Sequence, residues 1–345
     1  MNTNKDYIIS FLKDLLLIPS PTGDTSSAIE YVNKEFLNIG IPTYKTTKGA
    51  LVGTIEGNKK EAITFSGHVD TLGLMVKEIK SNGRLKVTKL GGYSLSTIEG
   101  NYVTINTSDN KTYTGTVIFE HQSVHVYDDV NTKERTLDNI EIRIDELVNS
   151  KEDTEKLGIQ VGDFIYLNPN VEIIDNGYIK SRHLDDKAGV AAIMGIAKYF
   201  IENKIKPEYT INFFISNYEE VGHGSSASLP DNTEYFIAVD MAAIGDTQTS
   251  RETATTICVK DGSGPYDLDT RRILEKVAKE NNLDYEIDIY INYGSDASAA
   301  LRAGYDFKVG LIGPGVDASH AFERTHINGI LNTIELGIGF IKEIK

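Results

Sequence analysis

Ala62-Ile63-Thr64-Phe65-Ser66-Gly67-His68-Val69-Asp70-Thr71 opens as an apolar, strand-like run and breaks at Ser66 into polar residues with chemical capacity. In open α/β sheets ligands and reacting groups collect just beyond the carboxyl ends of strands. This stretch therefore predicts an α/β sheet with a functional edge at His68 and Asp70. Upstream, Ile8, Ile9, Phe11, Leu12, Leu15 and Leu16 recur at helical spacing, predicting a helix over 6–17. Ile18-Pro19-Ser20-Pro21-Thr22-Gly23 ends it, because proline lacks a donor and biases the preceding residue away from helix. A second helix is expected over 26–37 and a strand over 51–55.

Downstream the texture changes. Between residues 72 and 167 short runs rich in β-branched residues recur: Leu74–Ile79, Leu85–Val87, Tyr102–Ile105, Thr114–Phe119, Ile140–Ile144 and Phe164–Leu167. Ser81-Asn82-Gly83, Gly91-Gly92 and Ser108-Asp109-Asn110 punctuate them as turns. The charge-rich segment 150–156 reads as a solvated loop or short helix. From Asp186 the α/β pattern resumes, with helices over 187–201, 268–280 and 329–344 and strands over 209–215, 235–239, 285–290 and 307–312. A β-rich insert (72–167) interrupting one α/β domain (1–71 with 168–345) explains this order better than two consecutive domains.

Composition bounds what such a protein does. The chain has 345 residues, 40% hydrophobic and 25% charged, enough for a substantial core. Lys and Arg total 35 against 50 Asp and Glu, a formal charge of −15, which argues against nucleic-acid binding through a broad basic surface. The longest nearly unbroken apolar run, Ala188 to Ala197, is about half of the roughly 18–20 residues a membrane span needs. Met1 to Asp6 leads into a polar, periodic segment without a signal-peptide core. Cys258 is the single cysteine, so no internal disulfide forms, and its apolar surroundings suit core packing. The expectation is a soluble cytoplasmic protein with no nucleic-acid or membrane partner.

Five places carry chemistry: His68-Val69-Asp70, His183-Leu184-Asp185-Asp186, Tyr218-Glu219-Glu220-Val221-Gly222, Asp240, and His320 after Gly313-Pro314-Gly315, which reads as a turn. Each has an ordinary reading. A His-x-Asp pair is usually a surface or supporting pair, Asp185-Asp186 before a helix is usually a cap, and Glu219-Glu220 is usually solvated. Asp240 could simply end its strand, and His320 could belong to turn chemistry. Their conjunction, most of them after their own strand, instead suits a dinuclear metal site. Divalent cations take carboxylate oxygen and imidazole nitrogen, and a shared carboxylate screens two of them held about 3.5–4 Å apart.

The order and wording of these motifs resemble the TET-type glutamyl/deblocking aminopeptidases, cytosolic dinuclear metallopeptidases some of which carry an endoglucanase label. The matching stretches are Gly67–Val76, Leu184–Gly189, Glu219–Gly222, Ala238–Asp240, Ser295–Ala297, and Gly313–Gly315 leading to His320. The resemblance implies a mixed-sheet, three-layer α/β/α catalytic domain of the phosphorylase/hydrolase-like kind, interrupted by a β-barrel-like domain that helps build homo-oligomers, often dodecamers. It implies an aminopeptidase acting on peptides with two divalent ions per subunit, zinc or cobalt, with manganese accepted by similar ligands. Asp185 would bridge the ions, His68 and Asp240 would complete one site, and Glu220 with His320 the other. Glu219 would be the general base, and Asp70 would orient or polarise His68.

Two features depart from that pattern. Lys187 stands where relatives carry Arg, keeping the charge and losing the planar fork. His320-Ala321-Phe322-Glu323 replaces a His-Ser-x-x-Glu stretch, which leaves His326 as an alternative last ligand. His183 reads as an ordinary imidazole, His223 as a candidate pocket residue, and His121 and His125 fall in the insert, His121 being a candidate for reaching a neighbouring subunit. The P1 preference stays open among leucyl, glutamyl and lysyl types; Lys187, Arg251, Arg271, Arg302 and Arg324 are the cations available to an acidic side chain. Two other classes compete: a metal-independent, endoglucanase-like glycosidase, weakened by adjacent rather than separated glutamates and by the absence of Trp, and a non-catalytic assembly protein on a peptidase fold.

Overall fold

The computed structural model describes residues 4–345, so the start of the segment read for a signal peptide, Met1–Thr3, lies outside the described residues. The chain forms two compact units, one made of residues up to Asp70 together with Asn170–Lys345, the other of Thr71–Pro169. These limits differ by two residues or fewer from those read in the sequence.

The first unit is built on a mixed sheet. Its centre is four parallel strands in the order Thr210–Ser216, Ala62–His68, Thr233–Val239, Lys308–Val316. Leu51–Ile55 pairs antiparallel with the first of them, and Thr255–Asp261 antiparallel with the last. Side chains alternate across a strand, and here both faces are apolar. Phe213, Ile215, Ile237 and Val239 enter a core shared with the helices Lys5–Leu17, Ser26–Asn38, Leu184–Glu202 and Ile327–Glu343. Phe214, Phe236 and Ala238 face a second core closed by the short helix Asp296–Arg302 through Ala297 and Ala300. A sheet apolar on both faces must be covered on both, which gives three layers.

Helix Leu184–Glu202 is buried nearly all round, from Ala188 to Ala197 and again at Phe200. Its Ala and Gly residues let it lie close on its neighbours; a Cβ at Gly189 would come within 2.4 Å of Val239 O in the sheet, and one at Gly195 within 2.4 Å of Ile334 in the last helix. Large side chains in such a core cost about 2–5 kcal/mol when cut to alanine. This explains the strength of the sequence signal here.

Two strands differ informatively from the sequence reading. The polar step Ser66-Gly67-His68 is still strand, and Gly313-Pro314-Gly315 is not a turn but the buried end of strand Lys308–Val316. Asp240 N donates to Ile312 O at 3.0 Å. This brings two backbones so close that a Cβ at Gly313 would lie 1.7 Å from Asp240 O. Glycine is required there by close approach rather than by a turn. Helix Asp296–Arg302 was not legible, being short and composed largely of Ala and Ser.

The second unit is a closed six-stranded barrel: Gly73–Ile79, Leu85–Leu90, Ile140–Ile144, Thr112–Phe119, Tyr102–Asn106 and Phe164–Leu167, in that spatial order. Closure removes unpaired edges. Leu74, Val76, Val87, Ile105, Val117, Ile142 and Ile165 fill the interior. Segment 150–156 forms the helix Lys151–Lys156, capped by Ser150 Oγ accepting from Asp153 N. His121 lies here with Nδ1 2.8 Å from Asp129 Oδ1 and its ring stacked on Tyr127; His125 is exposed.

Candidate metal centre

The four parallel strands all end on one edge of their sheet, and each delivers a polar side chain there. Ala62–His68 ends in His68; Thr210–Ser216 leads into the short helical turn Glu219–Val221; Thr233–Val239 is followed by Asp240; Lys308–Val316 leads to His320. Asp185 comes from the start of helix Leu184–Glu202. There Asp185 and Asp186 depart from helical dihedrals and are joined by a cis peptide.

The ordinary and the functional readings of this Asp-Asp pair are both met, by different residues. Asp186 Oδ1 accepts from Gly189 N, as a cap does, and Oδ2 accepts from His68 N, each at 3.2 Å. Asp185 instead turns both oxygens toward the strand ends. Its Oδ1 lies 3.3 Å from His68 Nε2, and its Oδ2 lies 3.2 Å from His320 Nε2. Two clusters of potential ligand atoms share this aspartate: His68, Asp185 and Asp240, and Asp185, Glu220 and His320, with the atoms of each cluster within 4.8 Å of one another. Glu219 reaches the same place, Oε2 being 3.6 Å from His68 Nε2.

His68 Nδ1 donates to the carbonyl oxygen of Asp70 at 2.9 Å, while the Asp70 carboxylate oxygen Oδ1 stands at 3.5 Å. A proton on Nδ1 leaves the Nε2 lone pair facing the clusters, the form a metal-binding imidazole needs. The Asp70 carboxylate has more to hold than the histidine. Oδ1 accepts from Glu219 N at 3.0 Å; Oδ2 accepts from Glu220 N at 3.2 Å and from Thr22 Oγ1 at 2.7 Å. It therefore fixes the turn on which both glutamates sit, and Thr22 fixes it in turn. Neither tie is legible in the sequence, because the backbone N–H donors have no residue signature and Thr22 lies 48 residues from Asp70.

The electrostatics is that of a buried anionic cage. Burial alone would raise Asp185, yet the imidazoles of His320 and His68 hold its carboxyl far below the usual range. Burial and then Asp185 push Asp240 up to about 7. Burial raises Glu219, with His68 opposing and Asp240, Asp296 and Glu220 adding to it; burial and Asp185 raise Glu220. Such crowding of acids is costly unless positive charge compensates it. His68 Nε2 and Glu220 Oε1 are buried and have no hydrogen-bond partner. Orphaned donor atoms of these types, converging with carboxylate oxygens, fit divalent cations of the zinc, cobalt and manganese kind.

Other residues singled out by sequence are placed elsewhere. His326 caps the last helix, its Nδ1 accepting from Asn328 N at 3.1 Å and its Nε2 2.9 Å from Asn176 O. His223 stacks on Tyr218, and His183 is buried with a left-handed backbone just before the Asp-Asp turn. Lys187 is buried and donates to Leu15 O and Ile18 O; burial pushes its ammonium down to about 7. Arg251 pairs with Asp284 and Glu286, and Arg271 with Glu275. Arg324 lies over the Tyr178 ring, and Arg302 is exposed at the end of helix Asp296–Arg302.

Cys258 sits in the core beside Ala238 and Leu311 and donates to Lys260 O at 3.3 Å. Burial pushes its thiol up to about 12 from an ordinary value of 9.0. The native protein at pH 8 is expected to leave this thiol unreacted with Ellman's reagent and to release one equivalent only when unfolded. The raised value also means that its share of stability is present below pH 9 and is lost as pH climbs toward 12.

Comparison with known proteins follows the same line. A profile of the M42 glutamyl aminopeptidase family matches residues 49–336. YhfE of Bacillus subtilis, which carries an aminopeptidase name, is 47% identical over 95% of both chains. Among solved structures, a TET aminopeptidase from a marine sediment thaumarchaeote superposes with a TM-score of 0.89 at 19% identity, covering 99% of this chain and 98% of that one. The Pyrococcus horikoshii TET1 peptidase, described as assembling into a tetrahedron or a large octahedral shell, gives 0.85 at 23% identity over 98% and 100%. The sheet edge with its histidines and acids thus belongs to a chain that is a member of the M42 glutamyl aminopeptidase family.

Proposed function

We propose that this aminopeptidase works with two divalent cations per subunit sharing Asp185, one held with His68 and Asp240, the other with Glu220 and His320. The observation that carries the reading is the division of the Asp185 carboxylate, one oxygen 3.3 Å from the first imidazole and the other 3.2 Å from the second. When bound, such cations supply Lewis acidity toward the scissile carbonyl and a nucleophilic water near neutral pH.

The chain's own residues then have distinct tasks. Glu219, raised by burial, accepts the proton of the attacking water and returns it to the departing amine. Asp70 keeps that base aimed by holding the Glu219 and Glu220 N–H groups, and it keeps His68 in the tautomer with Nε2 free. Glu219 and Asp240 offer negative charge to the substrate's free α-ammonium group, which suits removal of N-terminal residues rather than internal cleavage. Membership of this family favours the aminopeptidase over the glycosidase and the inert-assembly readings.

The test is a panel of aminoacyl-p-nitroanilides assayed on protein stripped with EDTA and then supplied with Zn²⁺, Co²⁺ or Mn²⁺. Stripped protein is expected to lose at least about a hundredfold in rate and to recover it with metal. Full activity after chelation would contradict the reading. The same panel decides among leucyl, glutamyl and lysyl preference. We also propose that the barrel unit supports a homo-oligomer, up to a dodecamer, as a TET1 structure described as a dodecamer suggests; light scattering checks this. A cytoplasmic location belongs to the same proposal, and among the described residues no helix is long and apolar enough to cross a membrane.

A further inference from the structure

Glu323 begins the short strand Glu323–His326, which pairs antiparallel with Tyr178–Ser181 so that Ser181 lies opposite Glu323. This small three-stranded sheet, completed by Glu172–Ile173, delivers the Glu323 carboxylate beside the Asp185 turn. The residue is 3% exposed. Its two oxygens are divided: Oε2 accepts from Asp185 N at 3.1 Å, and Oε1 accepts from His320 N at 3.0 Å. One carboxylate therefore ties together the backbones of two residues remote in sequence, whose side chains meet 3.2 Å apart at Asp185 Oδ2 and His320 Nε2.

The segment carrying His320 needs such a tie. Ala318 and His320 both have positive φ, 55° and 63°, a region that residues with a Cβ rarely occupy unless their surroundings hold them there. Ser319 Oγ adds a bond to Asp185 Oδ2 at 3.2 Å, a second tie to the helix start, but it reaches the Asp185 side chain and leaves the two backbones unlinked. Glu323 anchors it to the helix start. The first cluster is held differently, His68 by its strand, its bond to Asp70 O and its N–H on Asp186, and Asp240 by its N–H on Ile312 O.

We infer that Glu323 is a positioning residue for the second cation site, setting the distance between His320 and the shared Asp185 by holding both backbone N–H groups. The inference rests on the two-cation reading and adds to it an asymmetry. Loss of Glu323 weakens the Asp185, Glu220, His320 site and spares the His68, Asp185, Asp240 site. Partners of metal ligands typically change affinity by about 10–100-fold when removed.

The experiment is calorimetric titration of chelated full-length protein with Co²⁺ alone, comparing wild type with Glu323→Gln, together with the visible absorption of each bound ion and the melting temperature of the metal-free forms. Glutamine keeps one acceptor and turns an NH₂ group toward a backbone N–H. The expected result is a first ion bound within about threefold of wild type and a second weakened by about 10–100-fold, with the metal-free fold intact. Two ions bound with wild-type affinities, or both weakened equally, would overturn the inference. A wild-type protein that takes up fewer than two ions would instead overturn the two-cation reading and this inference with it. Should Glu323→Gln fail to fold, Glu323→Asp, which keeps the charge and both oxygens but shortens the reach, is expected to show the same selective loss, and full binding of both ions overturns the assignment.

Discussion

Asp185→Ala is expected to leave the protein folded and unable to retain either cation through gel filtration, with turnover lowered by at least about a thousandfold. The magnitude follows from the several kcal/mol that metal Lewis acidity contributes to such transition states, each 1.36 kcal/mol being tenfold in rate. The selectivity follows from geometry: Asp185 is the one side chain common to both ligand clusters. No other single substitution in the cage is expected to empty both sites. Removing His68 or Asp240 should reduce the first, and removing Glu220 or His320 the second. The fold should survive because the capping carboxylate is the neighbouring Asp186, which stays bound to Gly189 N and His68 N. The loss of one buried anion also relieves crowding with Asp240 and Glu220. Elemental analysis of the desalted variant checks the prediction; two ions per subunit would refute the bridge.

Glu219→Gln separates chemistry from metal binding. The amide has nearly the shape of the carboxylate but cannot take up the proton, so kcat is expected to fall by about 10²–10⁴-fold, the usual range for a general base. Glu219 belongs to neither ligand cluster. Ion content should therefore match the wild type, and KM should move little. Its partner Glu220, one residue on, should behave oppositely, with the second ion weakened first and rate following occupancy. The contrast is informative because the two residues share one short turn, and Asp70 holds the N–H groups of both. A Glu219→Gln variant with near wild-type kcat would remove it from the base role. Loss of an ion in that variant would instead make it a ligand.

Much of this arrangement was legible because strand ends announce themselves. Ala62–Phe65 followed by Ser66-Gly67-His68, and Tyr235–Val239 followed by Asp240, show the switch from apolar to polar that marks the carboxyl edge of a sheet. Parallel pairing then brings those ends together without further information. The long helix from Leu184 was equally plain, since its apolar run has no other place than between strands and outer helices. The Gly313-Pro314-Gly315 stretch misled in a specific way. Glycine and proline suggest a turn, but here they serve a strand pressed against the Asp240 backbone, a tertiary contact with no local signature. What escaped the sequence altogether were the ties that aim the clustered side chains: Asp70 on the glutamate turn, Thr22 on Asp70, and Glu323 on Asp185 and His320. All but one of these contacts run from a carboxylate to a backbone N–H, and any residue type could have supplied that donor.

Anomalous diffraction from crystals of the zinc-loaded protein, recorded at the zinc edge, addresses the central claim most directly. The account predicts two peaks about 3.5–4 Å apart, each about 2.0–2.2 Å from a different oxygen of Asp185, with His68 on one and His320 on the other. A single peak, or two peaks neither of which touches Asp185, would contradict it.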